Sequence, residues 1–568
     1  MLYQIPFQKI LVPLGSTLTL SLLSLTAFPC YSQSLQTPSN LLKELEKPDI
    51  PLDEQPRLEF EKKQDEDKGT SDNQTPVFLK EISIDGNTVF PASDLKNRID
   101  KLVGRTLTLG EIDSFVSELT ADYRNRGYFL TAIAPVLQES ATGASLSLRI
   151  VEGFIDDIIL EPIDETVLGG PDQDRILAYA QRITESRPLH IDDIERGLLL
   201  IDDMPGIRVR SVIRPSKETV GAANLHLLIE QDEFSGVITA NNRGSQTLGR
   251  GRLHSILTLN SLTGRSEQTR FNLSTIAPVR SEGEILHLGL THRELIGNDG
   301  LSLTVHASGL QSEEGDELDE LDVIGSSRNA SVSLDYPFIR SRTENLYGSV
   351  RLNYSNQSTK LLHERILEDR VWSVSASGRY EIAGPGRLSR FTGSISKGLN
   401  LFDASHRNDP DLSREGGRPD FFKVNASFTH NQLLINQLVG TIRLAVQYAP
   451  HSLLSTEEFT LGGVQFGQAY QSSALAGDQA LAASFEISRT YTLDSSITLQ
   501  PFAYLDGGRV WNHNDQDDDS LASTGLGLRF NHDAGPWFDL SLNAPLVRDD
   551  LDDRPDRPRL FISGGFQF

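Results

Sequence analysis

Residues 284–293 read Glu-Ile-Leu-His-Leu-Gly-Leu-Thr-His-Arg, with Leu286, Leu288 and Leu290 at every second position and His, Gly and Thr beside them. Successive side chains of an extended strand point to opposite faces, so this spacing makes one apolar and one polar face. The reading recurs at Leu301, Leu303 and Val305, at Ala330, Val332 and Leu334, at Leu444, Val446 and Tyr448, and at Leu540 and Leu542. No long amphipathic helix interrupts it between Phe234 and Phe568. Sustained period-two alternation marks a membrane β-barrel with a wet lumen; a soluble sandwich shares the local pattern but not so many strands in one domain. At about 20 residues per strand and its share of loop, residues 233–568 predict a transmembrane antiparallel β-barrel of about 16 strands.

The rest of the chain fits that compartment. At 568 residues it has room for three or four domains. A mature chain with no run of roughly 20 apolar residues cannot be a polytopic helical membrane protein. The net charge of -25 disfavours a nucleic-acid partner, because phosphate binding needs a basic footprint. Lys9 precedes an apolar run over 10–28, and small residues at Cys30 and Ser32 follow, which is the order of a secretory signal (residues 1–32) with cleavage after Ser32. Cys30 is the one cysteine, so the mature chain forms no disulfide. Residues 33–75, rich in Pro, Glu, Asp, Lys and Gln, read as a flexible linker. A short helix over 40–46, capped by Ser39, is expected there at most as a transient plug, since so short a helix needs a partner surface.

Two small units follow. In residues 76–152 a strand through Phe78, Ile82 and Ile84 stops at Asp85-Gly86-Asn87; a helix over 94–102 capped by Ser93, a helix over 109–126 with Ile112, Phe115, Val116, Leu119 and Tyr123 on one stripe, and two further strands complete the order βααββ. Residues 153–232 repeat that order, and a repeated plan in a secreted chain is more telling than one copy. With Gly86-Asn87 after the first strand and Gly127-Tyr128 after the second helix, the units resemble the POTRA domains of outer-membrane assembly and secretion barrels. A short sheet with helices on one face leaves an edge able to take an extended peptide.

Three stretches of the barrel resemble the two-partner secretion transporters, the TpsB family of ShlB/FhaC/HecB type. Asn242, Gly244 and Gly249 resemble that family's first barrel hairpin. Residues 461–470, with Gly462, Gly463, Gln468 and Tyr470, resemble the tip of its inward-folded loop, near 461–480, which normally reads Val-Arg-Gly-Tyr. Residues 504–510, with Asp506 and Gly508, resemble the wall strand that receives the loop. The resemblance runs from residue 77 to 568. It implies export of an unfolded partner, a large filamentous adhesin or haemolysin, from periplasm to cell exterior; the secreted protein docks on periplasmic POTRA domains and the barrel sits in outer-membrane lipid. The alternating end through Leu560, Ile562, Gly564 and Phe566 to Phe568 resembles the signal read by the barrel assembly machinery. An alternative within the superfamily is a factor that inserts other barrels.

The family latches its loop Arg to the wall Asp. Here Gln468 holds the Arg position and Ala469 the Gly position, so either a weaker amide bond reaches Asp506, or Arg489 or Arg509 supplies the charge, or the register of the resemblance is shifted. No zincin, nucleophile-elbow or phosphate-loop motif is present in the sequence. The expectation is no enzyme, no cofactor, no metal and no catalytic residue. The acidic runs at 313–322 and 515–519 read as solvated loops.

Overall fold

The computed structural model describes residues 37–45, 74–163, 169–245, 247–276, 283–513, 519–547 and 557–568. The signal segment and its cleavage point, and most of the linker, lie outside these residues.

The first element is a helix, α1 (Pro38–Leu45), in which Leu41 and Leu42 are fully buried. It begins two residues before the expected one: Pro38 takes the first helical position, where its missing N–H costs nothing, and Ser39 lies inside the helix instead of capping it. The expectation of a transient helix is corrected too. Leu41, Leu42 and Leu45 pack on Leu248 of the first hairpin's turn and on Ile285 and Leu310 of the barrel wall, the surface that so short a helix requires.

The first unit runs β1 (Pro76–Asp85), α2 (Ala92–Ile99), β2 (Thr106–Thr108), α3 (Leu109–Asn125), β3 (Ala132–Ser140) and β4 (Gly143–Val151). Its sheet order is β2-β1-β4-β3, with β1 and β4 parallel. Ser93 is not a cap; Pro91 precedes α2 with no side-chain cap. The sequence reading missed the short β2 and the capping box at α3, where Thr108 and Glu111 satisfy each other's backbone N–H groups.

The second unit runs β5 (Phe154–Pro162), α4 (Gly170–Glu185), α5 (Ile191–Asp202), β6 (Ile207–Pro215) and β7 (Ala222–Gln231), with sheet order β5-β7-β6. The units meet end to end. Ile191 N–H donates to the Gly127 carbonyl at 3.0 Å, Leu189 N–H donates to the Gly153 carbonyl at 2.9 Å, and the His190 ring lies edge-on to Tyr128.

From β8 (Phe234–Asn241) onward the chain closes a barrel of sixteen antiparallel strands, counting Gln479–Arg489 and its continuation Tyr491–Asp494 as one. The last strand, Arg559–Gln567, pairs with β8. Leu286, Leu288, Leu290, Val332, Leu334, Leu444, Val446, Leu540 and Leu542 all point outward and are exposed without lipid around them. Their neighbours line the lumen. The pattern follows from register: facing residues share a face, so one strand's parity fixes the next.

The second unit is built into one end of this barrel. Leu295 of the wall belongs to the unit's own apolar core. Asp299 accepts from Arg182 (2.6 Å), Arg196 (3.3 Å) and the Tyr336 hydroxyl (2.6 Å). Arg340 grips Asp203 through two bonds of 2.8 Å. Burial works against the Asp299 charge, but the Tyr336, Arg182 and Arg196 bonds outweigh it and hold the carboxyl below its ordinary range.

Candidate functional site: the obstructed lumen

Two elements enter the lumen. One is α1. The other is the long connection between Leu438–Tyr448 and Gln479–Arg489, which turns into the barrel at the end away from the two small units.

This loop starts and ends on a small hairpin, Phe459–Leu461 with Leu475–Gly477. The turn is possible because Gly462 adopts φ +102°, and a Cβ there would stand 2.1 Å from the Gln471 carbonyl. Gly463 N–H donates to the Gly467 carbonyl at 3.3 Å and Tyr470 N–H to the same carbonyl at 2.9 Å, which folds the tip on itself. The base is tied by the fully buried Asp478, which accepts from Arg414 (2.6 Å) and from the N–H groups of Leu453 (2.7 Å) and His513 (3.0 Å). Arg414 comes from the distant loop 400–421, and nothing in the sequence links the two.

The tip meets the wall strand Ile497–Trp511. Gln468 main-chain N–H donates to Asp506 Oδ2 at 3.2 Å, and the Ser523 hydroxyl donates to Asp506 Oδ1. The Gln468 side-chain amide and the Gly467 N–H also act on that carboxylate. Ala469 N–H donates to Ser523 Oγ at 3.3 Å. The Tyr470 hydroxyl lies 2.6 Å from the Val547 carbonyl and 2.9 Å from the Ala522 carbonyl. Gly508 admits the hairpin: a Cβ at this position would fall 2.8 Å from Leu461 Cδ2. The loop and wall residues singled out in the sequence therefore meet in space.

The charge is not where either arginine expectation put it. Arg509 shares the outward parity of Leu505, and Asp506 faces inward. Arg489 lies over Tyr491, while Asp506 pairs with Ser484 further along the strand. The cation at the tip is instead Arg243 of the first hairpin, whose Nη1 lies 3.5 Å from the Gln468 carbonyl and whose guanidinium stacks 4.2 Å over Phe561. It fixes the loop backbone, not the carboxylate.

The hairpin residues themselves serve the seam. Asn242 Nδ2 donates to the Leu560 carbonyl at 3.0 Å, and Ile562 N–H donates back to Asn242 Oδ1 at 2.8 Å, clipping the last strand to β8. Gly244 N–H donates to the Arg250 carbonyl at 2.9 Å, with Gly249 in the turn between them. At the seam's other end Phe568 exchanges backbone bonds of 2.8 and 2.9 Å with Gly236.

Glu44 joins the two obstructions. Its carboxylate pairs with the buried Arg252 on the wall and accepts from the Ser472 hydroxyl of the loop at 2.6 Å. A plug helix and an inward loop sharing one carboxylate inside a sixteen-stranded barrel behind two βααββ units make a defined architecture. Residues 225–530 match the haemolysin secretion/activation protein ShlB/FhaC/HecB family, and residues 77–153 match the ShlB-type POTRA domain. The chain belongs to the ShlB/FhaC/HecB family. It is thus an outer-membrane transporter of two-partner secretion. The first of its two small units is the ShlB-type POTRA domain, and the second repeats the same element order.

Similar proteins include the heme/hemopexin transporter protein HuxB of Haemophilus influenzae strain 86-028NP, 23% identical with 86% of each chain covered. The outer membrane transporter CdiB of Dickeya dadantii strain 3937 is 24% identical, with 79% of each chain covered. Among solved structures, CdiB from Escherichia coli superposes with a TM-score of 0.70 at 16% identity, covering 88% of this chain and 92% of that one.

Proposed function

We propose that this transporter exports an unfolded partner protein of the large filamentous adhesin or haemolysin type from the periplasm to the cell exterior. The POTRA units stand in the periplasm, and a secretion segment of the partner adds to an exposed sheet edge there, at β3 of the first unit or β5 or β6 of the second. The partner then passes through the lumen once α1 and the loop have moved. Phe568, whose backbone closes the seam, is presented to the barrel assembly machinery during insertion. The reading gives the chain no catalytic step, no metal and no cofactor; folding of the partner outside biases the direction of travel.

The observation that carries this reading is that both obstructions are held by non-covalent contacts, with Glu44 shared between them. Deleting residues 77–152 leaves every barrel strand in place and removes one docking edge. Export of the partner is expected to stop while the barrel still inserts and shows heat-modifiable migration. Undiminished secretion by the deletion would sink the docking role.

A further inference from the structure

The lumen wall is not uniform. The strands Gln479–Arg489 through Arg559–Gln567 are covered on the inside by the loop. The strands Glu267–Ile276, Glu284–Ile296, Leu301–Glu313, Ile324–Arg340 and Glu344–Leu361 carry α1 toward the end away from the POTRA units. Between α1 and the junction at Leu295, Arg270 and Arg351 are exposed on this wall and Arg293 is half-buried.

Register gives its lining. Phe271, Leu273, Leu288, Leu290, Val332, Leu334, Val350 and Leu352 point outward, so Arg270, Arg293 and Arg351 point inward. Arg293, Thr304, Ser333, Arg351, Ser375 and Ser396 face one another in succession around one row. The adjacent row holds Arg270, Thr291, His306, Ser331, Asn353 and Ser373. Hydroxyls and amides thus separate the guanidiniums.

Other arginines of the lumen wall are paired with carboxylates. Arg390 lies 2.7 Å and Arg379 3.4 Å from Glu381, and Arg529 bonds Glu486 at 2.7 Å and Asp539 at 3.2 Å. Arg340, at the mouth, is held by Asp203. Arg270, by contrast, donates to the neutral Gln268 at 3.4 Å, and no carboxylate lies within ion-pair distance of Arg270, Arg293 or Arg351 among the described residues. One carboxylate, Asp335, shares this wall, engaged by the Ser333 hydroxyl at 3.0 Å. Three guanidiniums against one carboxylate leave this sector positive in a chain whose net charge is -25.

We infer that Arg270, Arg293 and Arg351 are specificity-determining residues of the lumen and that the polypeptide passing along them is rich in Asp and Glu. Charged rings lining a pore select ions of opposite sign, and guanidiniums in a confined channel act strongly on carboxylates. The neutral Ser, Thr and Asn rows between them offer only weak, exchangeable bonds, so an acidic chain is attracted without being fixed at any point. This inference rests on the export reading for its biological meaning, but the pore's own charge preference does not.

The experiment therefore uses the full chain in planar bilayers and needs no natural partner. In a KCl gradient the reversal potential is expected to show anion selectivity, and a triple variant Arg270→Gln, Arg293→Gln, Arg351→Gln to lower the anion-to-cation permeability ratio by roughly twofold or more. An unstructured Glu-rich peptide added on the POTRA side should block the current at lower concentration than a Lys-rich peptide of equal length, and the triple variant should erase the difference. Arg→Lys at the same three positions should retain both behaviours, and heat-modifiable migration verifies folding of each variant. Should the triple variant fail to insert, the ratio and the peptide preference of the parent still decide. Cation selectivity, or equal or stronger block by the Lys-rich peptide, overturns the inference. Loss of export in the residues 77–152 deletion, read separately by secretion of the partner, tests the export reading alone.

Discussion

The junction between the second small unit and the barrel contrasts with the contacts that hold the loop and plug in the lumen. The junction has a shared apolar core through Leu295, a two-bond Arg340–Asp203 pair and a triply engaged Asp299. The loop tip is held to the wall by main-chain and amide groups on Asp506 and by the Ala469 and Tyr470 bonds, and the plug by three leucines and one shared carboxylate. Paired, two-pronged charges give fixed geometry. Separate bonds spread over different residues, the Glu44–Arg252 pair among them, can break one at a time. The proposed export route requires the second set of contacts to part and leaves the first in place.

The most complete way to break that contrast is to make the releasable side permanent. The variant Glu44→Cys, Ser472→Cys, joined by a short bifunctional thiol reagent, should lose export altogether, while the same variant left unjoined exports. Equal secretion by both would mean that plug and loop need not separate.

Breaking the fixed side should cost less but measurably. Arg340→Ala strands Asp203 and removes the bond to Asn345, with an expected loss of roughly 2 to 4 kcal/mol at the junction in thermal unfolding. The exposed pair Arg98–Asp122 in the first unit is the control, where Arg98→Ala should cost at most about 1 kcal/mol. Similar losses for the two would remove the distinction.

A smaller change should move the loop toward the fixed class. Gln468→Arg offers Asp506 a charge-assisted bond worth roughly 1.5 to 3 kcal/mol where a neutral one gives about 1. Channel openings in bilayers should become rarer, and Asp506→Asn should affect the arginine variant more than the parent. A coupling below about 0.5 kcal/mol in that double-mutant cycle would show that the new side chain does not meet the carboxylate.

The smallest effect is pH-dependent. Asp299 has a folded-state pKa lowered from 3.8, so its contribution to the junction is fully present above that value and is lost as the pH falls through the lower folded one. Spin-label distances between the second small unit and the barrel should stay constant from neutral pH down to the ordinary aspartate range and broaden only below it. In Asp299→Asn the broadening should already be present at neutral pH. Broadening near pH 6 in the parent would point to another group.

The sequence by itself determined the barrel, because period-two alternation in Leu286, Leu288 and Leu290 and its repeats has one economical solution in a membrane, a closed sheet. The sequence also carried the βααββ order of both small units through local spacing, whereas the meeting of Gln468 and Asp506 was one of three alternatives that the family resemblance left open. It did not show that Pro38–Leu45 is a packed helix, because eight residues settle only against a surface, and Leu248, Ile285 and Leu310 come from three distant segments. Nor did it show that Arg243 meets the loop backbone, that Arg414 ties Asp478, or that Glu44 links plug, wall and loop. Those contacts join residues far apart in the chain across a closed lumen. Only closure of the sheet sets which side chains converge inside it, and no local period records that.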